Sequence, residues 1–340
     1  MTHHLSLRCN GDGVIWSEIV TAWPFLEGAR IVGAERSENM TWMLRGPGGS
    51  YVLRRYRDGY RDSRLIVEEL ALMEVARDVA GVNVPRSFEA VDGRPFFTAC
   101  DGLYVVFEYL EGATASHDDL ARLAGMVGEL AAMLHLAFQG QPRFGPEVTL
   151  RWSWDLGAFS EDPPRWGTWQ DALGCLTGVH DRAAEVIGTA YQLLSERLGS
   201  ASRAPDCFGM IHADLRAANL IVGGHEKLGL IDFDDSGLSW FLYDTATSLS
   251  FFETAPTAYP IIQKWLTGYS RIRVIATGEL DLLASLIVYR RLLLVAWLGT
   301  HPHANITGLD RGRFGADTVA LAMRYLEAPC DYVRLLDAQA

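Results

Sequence analysis

One stretch constrains this chain more than any other. Residues 209–235 contain two short apolar runs, 220–222 and 228–231, on either side of a glycine-containing turn. This pattern predicts a β-hairpin. Polar side chains precede its first strand and follow its second: His212, Asp214, Asn219, Asp232, Asp234 and Asp235. A hairpin that gathers carboxylates and an amide at one end predicts a site for Mg²⁺ and phosphate.

The spacing of these residues is that of a phosphoryl-transfer site. Such a site needs a cation on the phosphates, a carboxylate aimed at the attacking hydroxyl and a clamp on the triphosphate. In the sequence, Asp214 comes two residues after His212, and Asn219 five residues after Asp214. Asp232 then opens Asp-Phe-Asp on the second strand. This order of loop Asp, loop Asn and metal-binding Asp is typical of kinases and predicts ATP and Mg²⁺ as cofactors.

The rest of the chain predicts an α+β protein with two lobes. The first is a five-stranded antiparallel sheet with one helix after its third strand, built from runs at 29–34, 40–44, 51–56, 84–91 with 95–99, and 103–107. Helical periodicity predicts helices at 16–23, 65–79, 116–138, 181–198, 242–252, 258–269, 280–298 and 317–327. We therefore expect a nucleotide-binding lobe over 1–107, a hinge over 108–112, and a helical lobe over 113–340 that holds the catalytic hairpin and acceptor site.

Composition narrows the class of protein. The 340 residues carry a formal charge of -12, which disfavours nucleic acid as a partner. Five cysteines lack metal-ligand spacing and indicate a reducing compartment. The first residues lack an apolar signal core, and the apolar run 292–298 is too short to span a bilayer. We expect a cytoplasmic protein without a membrane partner.

The motif His-x-Asp-x-x-x-x-Asn followed by Ile-Asp-Phe resembles the aminoglycoside phosphotransferase and choline kinase superfamily, small-molecule kinases with a protein-kinase-like two-lobe fold. The later Tyr243-Asp244 and the run Ile-Asp-Phe-Asp-Asp are similar to type II homoserine kinases. They are equally similar to stress-response protein kinases, and the motif does not separate the two groups. The resemblance extends over essentially the whole chain.

The resemblance implies roles for the loop residues. Asp214 would be the base for, or orient, the substrate hydroxyl, and His212 would brace the loop. Asn219 and Asp232 would hold Mg²⁺. Asp244 resembles the buried acid that accepts hydrogen bonds from the catalytic-loop backbone. Two roles stay open for Asp234, as a second-shell acid near the metal or as an acid that faces the substrate.

The third predicted strand should carry a basic residue for the α/β-phosphates, usually lysine. No lysine precedes Lys227, and Arg54 stands at that position. Arginine keeps its charge and binds phosphate with two donors, so we interpret Arg54 as the clamp. Its partner on the next helix is Glu69, with Glu68 as the rival. Arg55 points to the opposite strand face and is expected to be solvated.

Two further nucleotide contacts are predicted. The loop 35–39 has no glycine-rich signature, but Ser37 and Asn39 have polar side chains for the phosphates. An ordinary polar turn explains them nearly as well. Residues Glu108 to Leu110 form the predicted hinge, whose backbone N–H and C=O groups would bind adenine.

The remaining candidates have ordinary structural explanations. His135 lies in an apolar helix and is interpreted as a satisfied core histidine. The tryptophans at 152–169 are expected to pack together rather than to line a substrate pocket. Arg290 and Arg291 are expected to make salt bridges between helices, the alternative being that one of them faces the site.

These observations predict an ATP- and Mg²⁺-dependent kinase that phosphorylates a hydroxyl of a small molecule. A homoserine-like amino alcohol is the first acceptor candidate, and an aminoglycoside-type antibiotic the second. Two alternatives stay open: a Ser/Thr protein kinase of the stress-response type, and a nucleotide-binding module without activity. The second alternative follows from the arginine at the usual lysine position.

Overall fold

The computed structural model describes residues 14–36, 39–56, 62–161, 163–173, 181–302, 306 and 309–337. Within it the chain forms two compact units. The first comprises Met1–Ala113 and Ile221–Asp234, and the second Thr114–Leu220 and Asp235–Ala340. The predicted α+β class, with an antiparallel sheet followed by many helices, is confirmed.

The first unit is built on an antiparallel sheet with the order β1-β2-β3-β6-β4, in which β5 also pairs with β6. Its strands are β1 (Arg30–Arg36), β2 (Met40–Gly46), β3 (Gly49–Arg55), β4 (Ser87–Phe88), β5 (Phe97–Ala99) and β6 (Gly102–Glu108). The sheet thus has six strands where the sequence predicted five. The extra strand arises because the segments before and after the Asp92-Gly93 turn pair separately with β6, at Phe107 and at Tyr104.

Two helices accompany this sheet: α1 (Val14–Ala22) and α2 (Ser63–Asp78). The Asp62 side chain caps α2 by accepting a hydrogen bond from the Arg64 N–H at 3.0 Å. The apolar face of α2 also buries Glu69 completely. A carboxylate is rarely buried without a partner, so this position needs a cation nearby.

The second unit is mainly helical. Its helices are α3 (His117–Gln139), α4 (Gly157–Ser160), α5 (Trp169–Ala172), α6 (Asp181–Ser200), α7 (Tyr243–Thr247), α8 (Ala258–Tyr269), α9 (Thr277–Thr300), α10 (Arg311–Glu327) and α11 (Tyr332–Leu336). The helix predicted over 116–138 begins with a full capping box between Ser116 and Asp119. Helices α3 and α8 pack backbone to backbone, since a β-carbon on Gly268 would lie 1.9 Å from the Gly125 carbonyl oxygen.

Helix α7 is shorter than the predicted helix over 242–252. The Ser248 hydroxyl donates to the Leu215 and Asp244 carbonyl oxygens, at 2.8 and 3.0 Å. Phe251 then adopts a positive φ of 77°. Serine and threonine side chains that bond the backbone compete with helix propagation, which explains the early end.

Helix α9 lies in the core of the second unit. By length and composition α3 and α9 could each cross a membrane, but 61% and 83% of their most apolar segments are buried inside the protein. Core helices show the same property. Arg290 and Arg291 interrupt the apolar sequence of α9, and both are buried.

Two short sheets position the loop motifs. The predicted hairpin is present as β9 (Leu220–Val222) and β10 (Leu228–Leu230), with β7 (Ala113–Thr114) beside β9. In the second unit, β8 (Phe208–Ile211) pairs with β11 (Gly237–Trp240), and Ile211 lies opposite Gly237. The chain leaves β8 and enters β11 at the same end of this ribbon.

Candidate active site

The loop that follows β8 is held in a strained conformation by one buried acid. Ala213 has a positive φ of 65°, which is uncommon for a residue other than glycine. The Asp244 carboxylate accepts hydrogen bonds from the His212 N–H at 3.0 Å and the Ala213 N–H at 2.7 Å. Asp244 is fully buried at the start of α7. It therefore fixes the backbone that leads into Asp214.

Asp244 is in turn held from α3. The Nε2 atom of His135 lies 3.0 Å from an Asp244 oxygen, and its Nδ1 atom lies 2.8 Å from the Tyr269 hydroxyl. His135 is thus a satisfied core histidine, as predicted. Its link to the catalytic loop was missed, because no local pattern in the sequence connects position 135 with position 244.

The Asp214 carboxylate is fixed by three donors. Its Oδ1 accepts from Arg290 Nη2 at 2.6 Å. Its Oδ2 accepts from Arg216 Nε at 3.0 Å and from Asn219 Nδ2 at 2.8 Å. Burial raises the pKa of Asp214, but the charges of Arg216 and Arg290 outweigh this effect and leave the pKa below its usual value. The carboxylate therefore stays ionised at neutral pH.

Arg290 corrects a prediction. The sequence favoured an inter-helix salt bridge for both arginines, whereas Arg290 contacts a carboxylate of the predicted site. Its Nε also donates to the Ser250 hydroxyl at 3.0 Å. Arg291 does pair between elements, with the buried Glu253. Neighbouring residues on a helix point about 100° apart, so the two guanidinium groups reach different surroundings.

Asn219 is oriented by the same loop. Its Nδ2 donates to the Asp214 backbone carbonyl and to the Asp214 carboxylate, both at 2.8 Å. With the nitrogen committed in this way, the carbonyl oxygen Oδ1 is the atom of this side chain that could bind a cation. Amide and carboxylate oxygens are the ligands that Mg²⁺ prefers.

In the first unit, Arg54 of β3 bridges two acids. Its Nη2 lies 2.6 Å from Asp232 Oδ1, and its Nη1 lies 3.4 Å from Glu69 Oε1. Burial lowers the pKa of Arg54, but the charges of Asp232 and Glu69 raise it well above its usual value. The structure thus places Glu69, rather than Glu68, beside Arg54. Asp232 has a positive φ of 68°, a strained backbone of the kind found at functional sites.

Arg55 differs from the prediction of a solvated side chain. Its Nη1 lies 3.0 Å from Asp101 Oδ2, and the Tyr104 hydroxyl donates to the same oxygen at 2.8 Å. The alternation along β3 still separates Arg55 from Arg54. The opposite face of the strand offered an ion-pair partner that local sequence did not reveal.

Asn39 and Asp234 meet in the first unit. The Asn39 amide donates to Asp234 Oδ2 at 2.7 Å, and both side chains are buried. Asp234, whose role the sequence left open, is thus hydrogen-bonded to Asn39, a residue of the loop that was predicted to contact the phosphates. The other residue predicted from that loop, Ser37, lies outside the described residues.

The predicted hinge follows β6. The Glu108 N–H donates to the Arg86 carbonyl oxygen at 2.8 Å, so the sheet already uses this donor. The Glu108 carboxylate accepts from the Arg86 N–H at 3.3 Å. Adenine binding therefore stays a prediction for Leu110 and the backbone around it. Gly112, the last residue of the hinge, packs against the backbone of β9, since a β-carbon on it would lie 2.6 Å from the Val222 carbonyl oxygen.

The tryptophan-rich segment packs in the second unit, as predicted. Trp154 and Trp166 are buried with ring centroids 4.8 Å apart. The same segment supplies Arg165, whose Nη2 donates to Asp235 Oδ1 at 2.8 Å. The sequence left Asp235 without a role, and its arginine partner was missed because 70 residues separate the two.

Residues 31–275 match the family model described as the phosphotransferase enzyme family, APH. The chain belongs to this family. The predicted family and the predicted enzyme class, a phosphotransferase, are thereby confirmed.

Most of this chain is similar to proteins whose activities are named. A homoserine kinase of Bradyrhizobium sp. (strain ORS 278) is 29% identical over 293 residues, which cover 82% of this chain and 83% of the relative. The structure of a microcompartment-associated aminopropanol kinase is 32% identical, with a TM-score of 0.81, over 96% of this chain and 99% of that one. An amicoumacin kinase in complex with AMP-PNP and Ca²⁺ is 18% identical with a TM-score of 0.70, which shows the shared fold.

Proposed function

We propose that this enzyme transfers the γ-phosphoryl group of ATP, with Mg²⁺, to the hydroxyl of a small hydroxy amino acid or amino alcohol. The observation that supports this proposal most is the Asp214 carboxylate, held by Arg216, Asn219 and Arg290 and kept ionised by their charges. An ionised and immobile carboxylate is what orients a hydroxyl for in-line attack.

The chain's own residues divide the work as follows. Asp214 accepts the hydrogen bond of the acceptor hydroxyl and takes its proton as the new phosphate ester forms. Asp244 keeps the loop in place through the His212 and Ala213 N–H groups. Asp214 lies on this loop and Asp244 holds its backbone, so the acceptor-side chemistry depends on that loop.

Asn219 and Asp232 each offer a hard oxygen ligand for a cation. Among the described residues no three His, Cys, Asp or Glu side chains gather into a metal cluster. In kinase sites Mg²⁺ is bound through one or two protein groups, and phosphates and water complete its coordination. When bound, the cation would neutralise charge on the transferred phosphoryl group.

Arg54 is suited to the triphosphate. Its guanidinium is permanently charged and makes two separate contacts, with Glu69 and Asp232. A phosphate oxygen would replace or join these carboxylates as its partner. The arginine motivates the alternative of an inactive nucleotide-binding module, but the loop Asp, the loop Asn and the metal Asp are all present.

An ADP-release assay tests the proposal. The purified chain is incubated with ATP, Mg²⁺ and one acceptor at a time: homoserine, 1-amino-2-propanol, an aminoglycoside or a generic protein. The proposal expects ADP release above background with one of the first two. Release only with the aminoglycoside would move the acceptor to an antibiotic, and release only with protein would establish the protein-kinase alternative. A thermal shift with ATP but no ADP release with any acceptor would identify a binding module.

We also propose a cytoplasmic location. The thiols of Cys100, Cys207 and Cys330 are free, which suits a reducing compartment. Fractionation of the source cells with antibody detection would check it, and recovery of the protein outside the cytoplasmic fraction would contradict it.

A further inference from the structure

Asp235 lies at the same end of the β8–β11 ribbon as the catalytic loop. Ile211, the last residue of β8, is paired with Gly237, the first residue of β11. Asp214 follows the first of these strands by three residues, and Asp235 precedes the second by two. Both acids belong to the second unit. The ribbon therefore brings a second carboxylate near Asp214.

Electrostatics place the two acids in one neighbourhood. Arg290 lies 2.6 Å from Asp214, and Asp235 is among the charges that raise the Arg290 pKa. Burial raises the pKa of Tyr243 to about 12, and Asp235 and Asp214 both add to that increase. The charges of both carboxylates thus act on the same two side chains, Tyr243 and Arg290.

Arg165, the ion-pair partner of Asp235, lies against two tryptophan rings. The Arg165 guanidinium lies 3.4 Å from the centroid of the Trp152 ring and 4.9 Å from that of Trp154. Trp154 in turn donates its indole N–H to the Asp235 backbone carbonyl at 2.6 Å. The side chains of Arg165 and Asp235 are 11% and 13% exposed. The pair is shielded from water but retains an opening to it.

A second cation lies against the same indole. Arg151 places its guanidinium 4.5 Å from the Trp152 centroid and donates to the Ser236 carbonyl oxygen at 2.8 Å. Two guanidinium groups therefore lie against Trp152, and one of them is paired with Asp235. A cation and an anion that lie side by side suit a ligand that carries both charges.

Building on the proposed function, we propose that Asp235 and Arg165 form the head-group site of the acceptor. Asp235 receives the ammonium of a hydroxy amino acid, and Arg165, supported by Arg151, receives its carboxylate. The side-chain hydroxyl of the same molecule reaches Asp214. The two residues are specificity-determining, because they select the charges of the acceptor without touching the transferred phosphoryl group.

A zwitterion fits this pair better than an amino alcohol with a single positive charge. Entry of a ligand between Asp235 and Arg165 separates two largely desolvated charges. A zwitterion gives each a new partner, whereas a monocation pairs with Asp235 and offers Arg165 nothing in exchange for it. Loss of an ion-pair partner in a shielded site is strongly unfavourable.

Homoserine and three analogues that lack one or both of its charges test the proposal. Homoserine carries both charges, 3-amino-1-propanol the ammonium, 4-hydroxybutyrate the carboxylate and 1,4-butanediol neither. The variants are Asp235→Asn and Arg165→Gln. Asp92→Asn, which breaks the exposed pair with Arg94, is the matched control. KM and kcat are measured for every combination, and thermal unfolding verifies the fold of each variant.

Loss of a charge-assisted hydrogen bond predicts selective effects on KM. Asp235→Asn should raise KM roughly ten- to a hundredfold for the two ammonium-bearing acceptors and leave 4-hydroxybutyrate and the diol close to wild type. Arg165→Gln should do the same for the two carboxylate-bearing acceptors. Wild type should prefer homoserine to the other three, and the control should change nothing.

Equal losses for all four acceptors would show a structural ion pair and overturn the proposal. A wild-type preference for 3-amino-1-propanol over homoserine would overturn the role of Arg165. Calorimetric titration of homoserine separates this proposal from the proposed function. Homoserine binding that each variant weakens, without any ADP release, would keep the head-group site and reject the kinase assignment. ADP release with other acceptors and no homoserine binding would do the reverse.

Discussion

The predicted catalytic carboxylate, Asp214, and the predicted metal-binding carboxylate, Asp232, are held very differently. Asp214, in the second unit, is 11% exposed and receives donors from Arg216, Asn219 and Arg290, that is, from its own loop and from α9. Asp232, in the first unit, is 26% exposed and contacts Arg54, the predicted phosphate clamp. The acceptor-side carboxylate is thus embedded in protein. Asp232, the carboxylate on the nucleotide side, contacts Arg54, and Arg54 is also expected to bind the phosphates of the nucleotide.

The protein alone supplies the hydrogen-bond partners of Asp214, whereas Asp232 is expected to gain partners when the nucleotide and the cation bind. A base that must take a proton in the transition state benefits from a fixed position, since preorganised groups do not reorganise during the reaction. A group that binds a cation and phosphates must instead accept new partners. We expect substitutions around Asp214 to affect kcat, and those around Asp232 to affect the KM for ATP.

Replacement of the base itself should have the largest effect. Asp214→Asn keeps the size of the side chain but removes the proton acceptor, so kcat should fall by roughly 10²- to 10⁴-fold. ATP affinity, measured by calorimetry, should stay near wild type. Asp118→Asn, an exposed acid in the first turn of α3, is the control. A kcat within a factor of two of wild type would remove Asp214 from the reaction.

The support beneath the base should matter next. Asp244→Ala leaves the buried N–H groups of His212 and Ala213 without their acceptor and deprives His135 of its partner. We expect the second unit to lose roughly 3 kcal/mol or more of stability. The melting temperature from calorimetry checks this, with Asp310→Ala, a helix cap in the same unit, as a smaller reference change. An unchanged melting temperature would show that the loop holds its conformation without Asp244.

The local parts of this arrangement were accessible from the sequence. The hairpin, the start of α3 near Ser116, the order of Asp214, Asn219 and Asp232, and the basic position of Arg54 all depend on short spacings and on strand alternation. Such patterns are fixed by local geometry, so the structure reproduces them. The family resemblance supplied the role of Asp244, whose contact with the loop spans 32 residues.

The missed contacts join segments that are distant in the chain. Arg290 reaches Asp214 across 76 residues, and Arg165 reaches Asp235 across 70. Helical periodicity places Arg290 on an apolar helix, but it does not say which side of that helix meets the catalytic loop. Tertiary packing decides such pairs, and a single sequence contains no signal for it.

The contact missed at Arg290 offers the next test of the comparison. Arg290→Met removes one of the charges that lower the pKa of Asp214, so this pKa should rise. The acid limb of kcat/KM should therefore move to higher pH, and kcat should fall by about tenfold.

Rescue by lysine separates positioning from packing at this site. Arg290→Lys should restore the position of the acid limb, because it restores the charge. Arg197→Met removes a guanidinium that contacts Ser285 of the same helix and should leave the acid limb unmoved. An unmoved acid limb in Arg290→Met would show that Arg290 has no influence on the base.

The smallest effect is expected on the nucleotide side, at Arg54. Arg54→Lys keeps the charge but replaces a guanidinium that contacts Glu69 and Asp232 together by a single ammonium, which cannot reproduce both contacts in the same geometry. We expect the KM for ATP to rise a few fold, roughly 1 kcal/mol of lost binding, with kcat nearly unchanged. Steady-state kinetics with ATP varied at saturating acceptor would measure this, and Arg55→Lys, on the opposite face of β3, is the matched control. A large fall in kcat with an unchanged KM for ATP would mean that Arg54 acts in the chemical step, and the division of labour between the two units would then no longer hold.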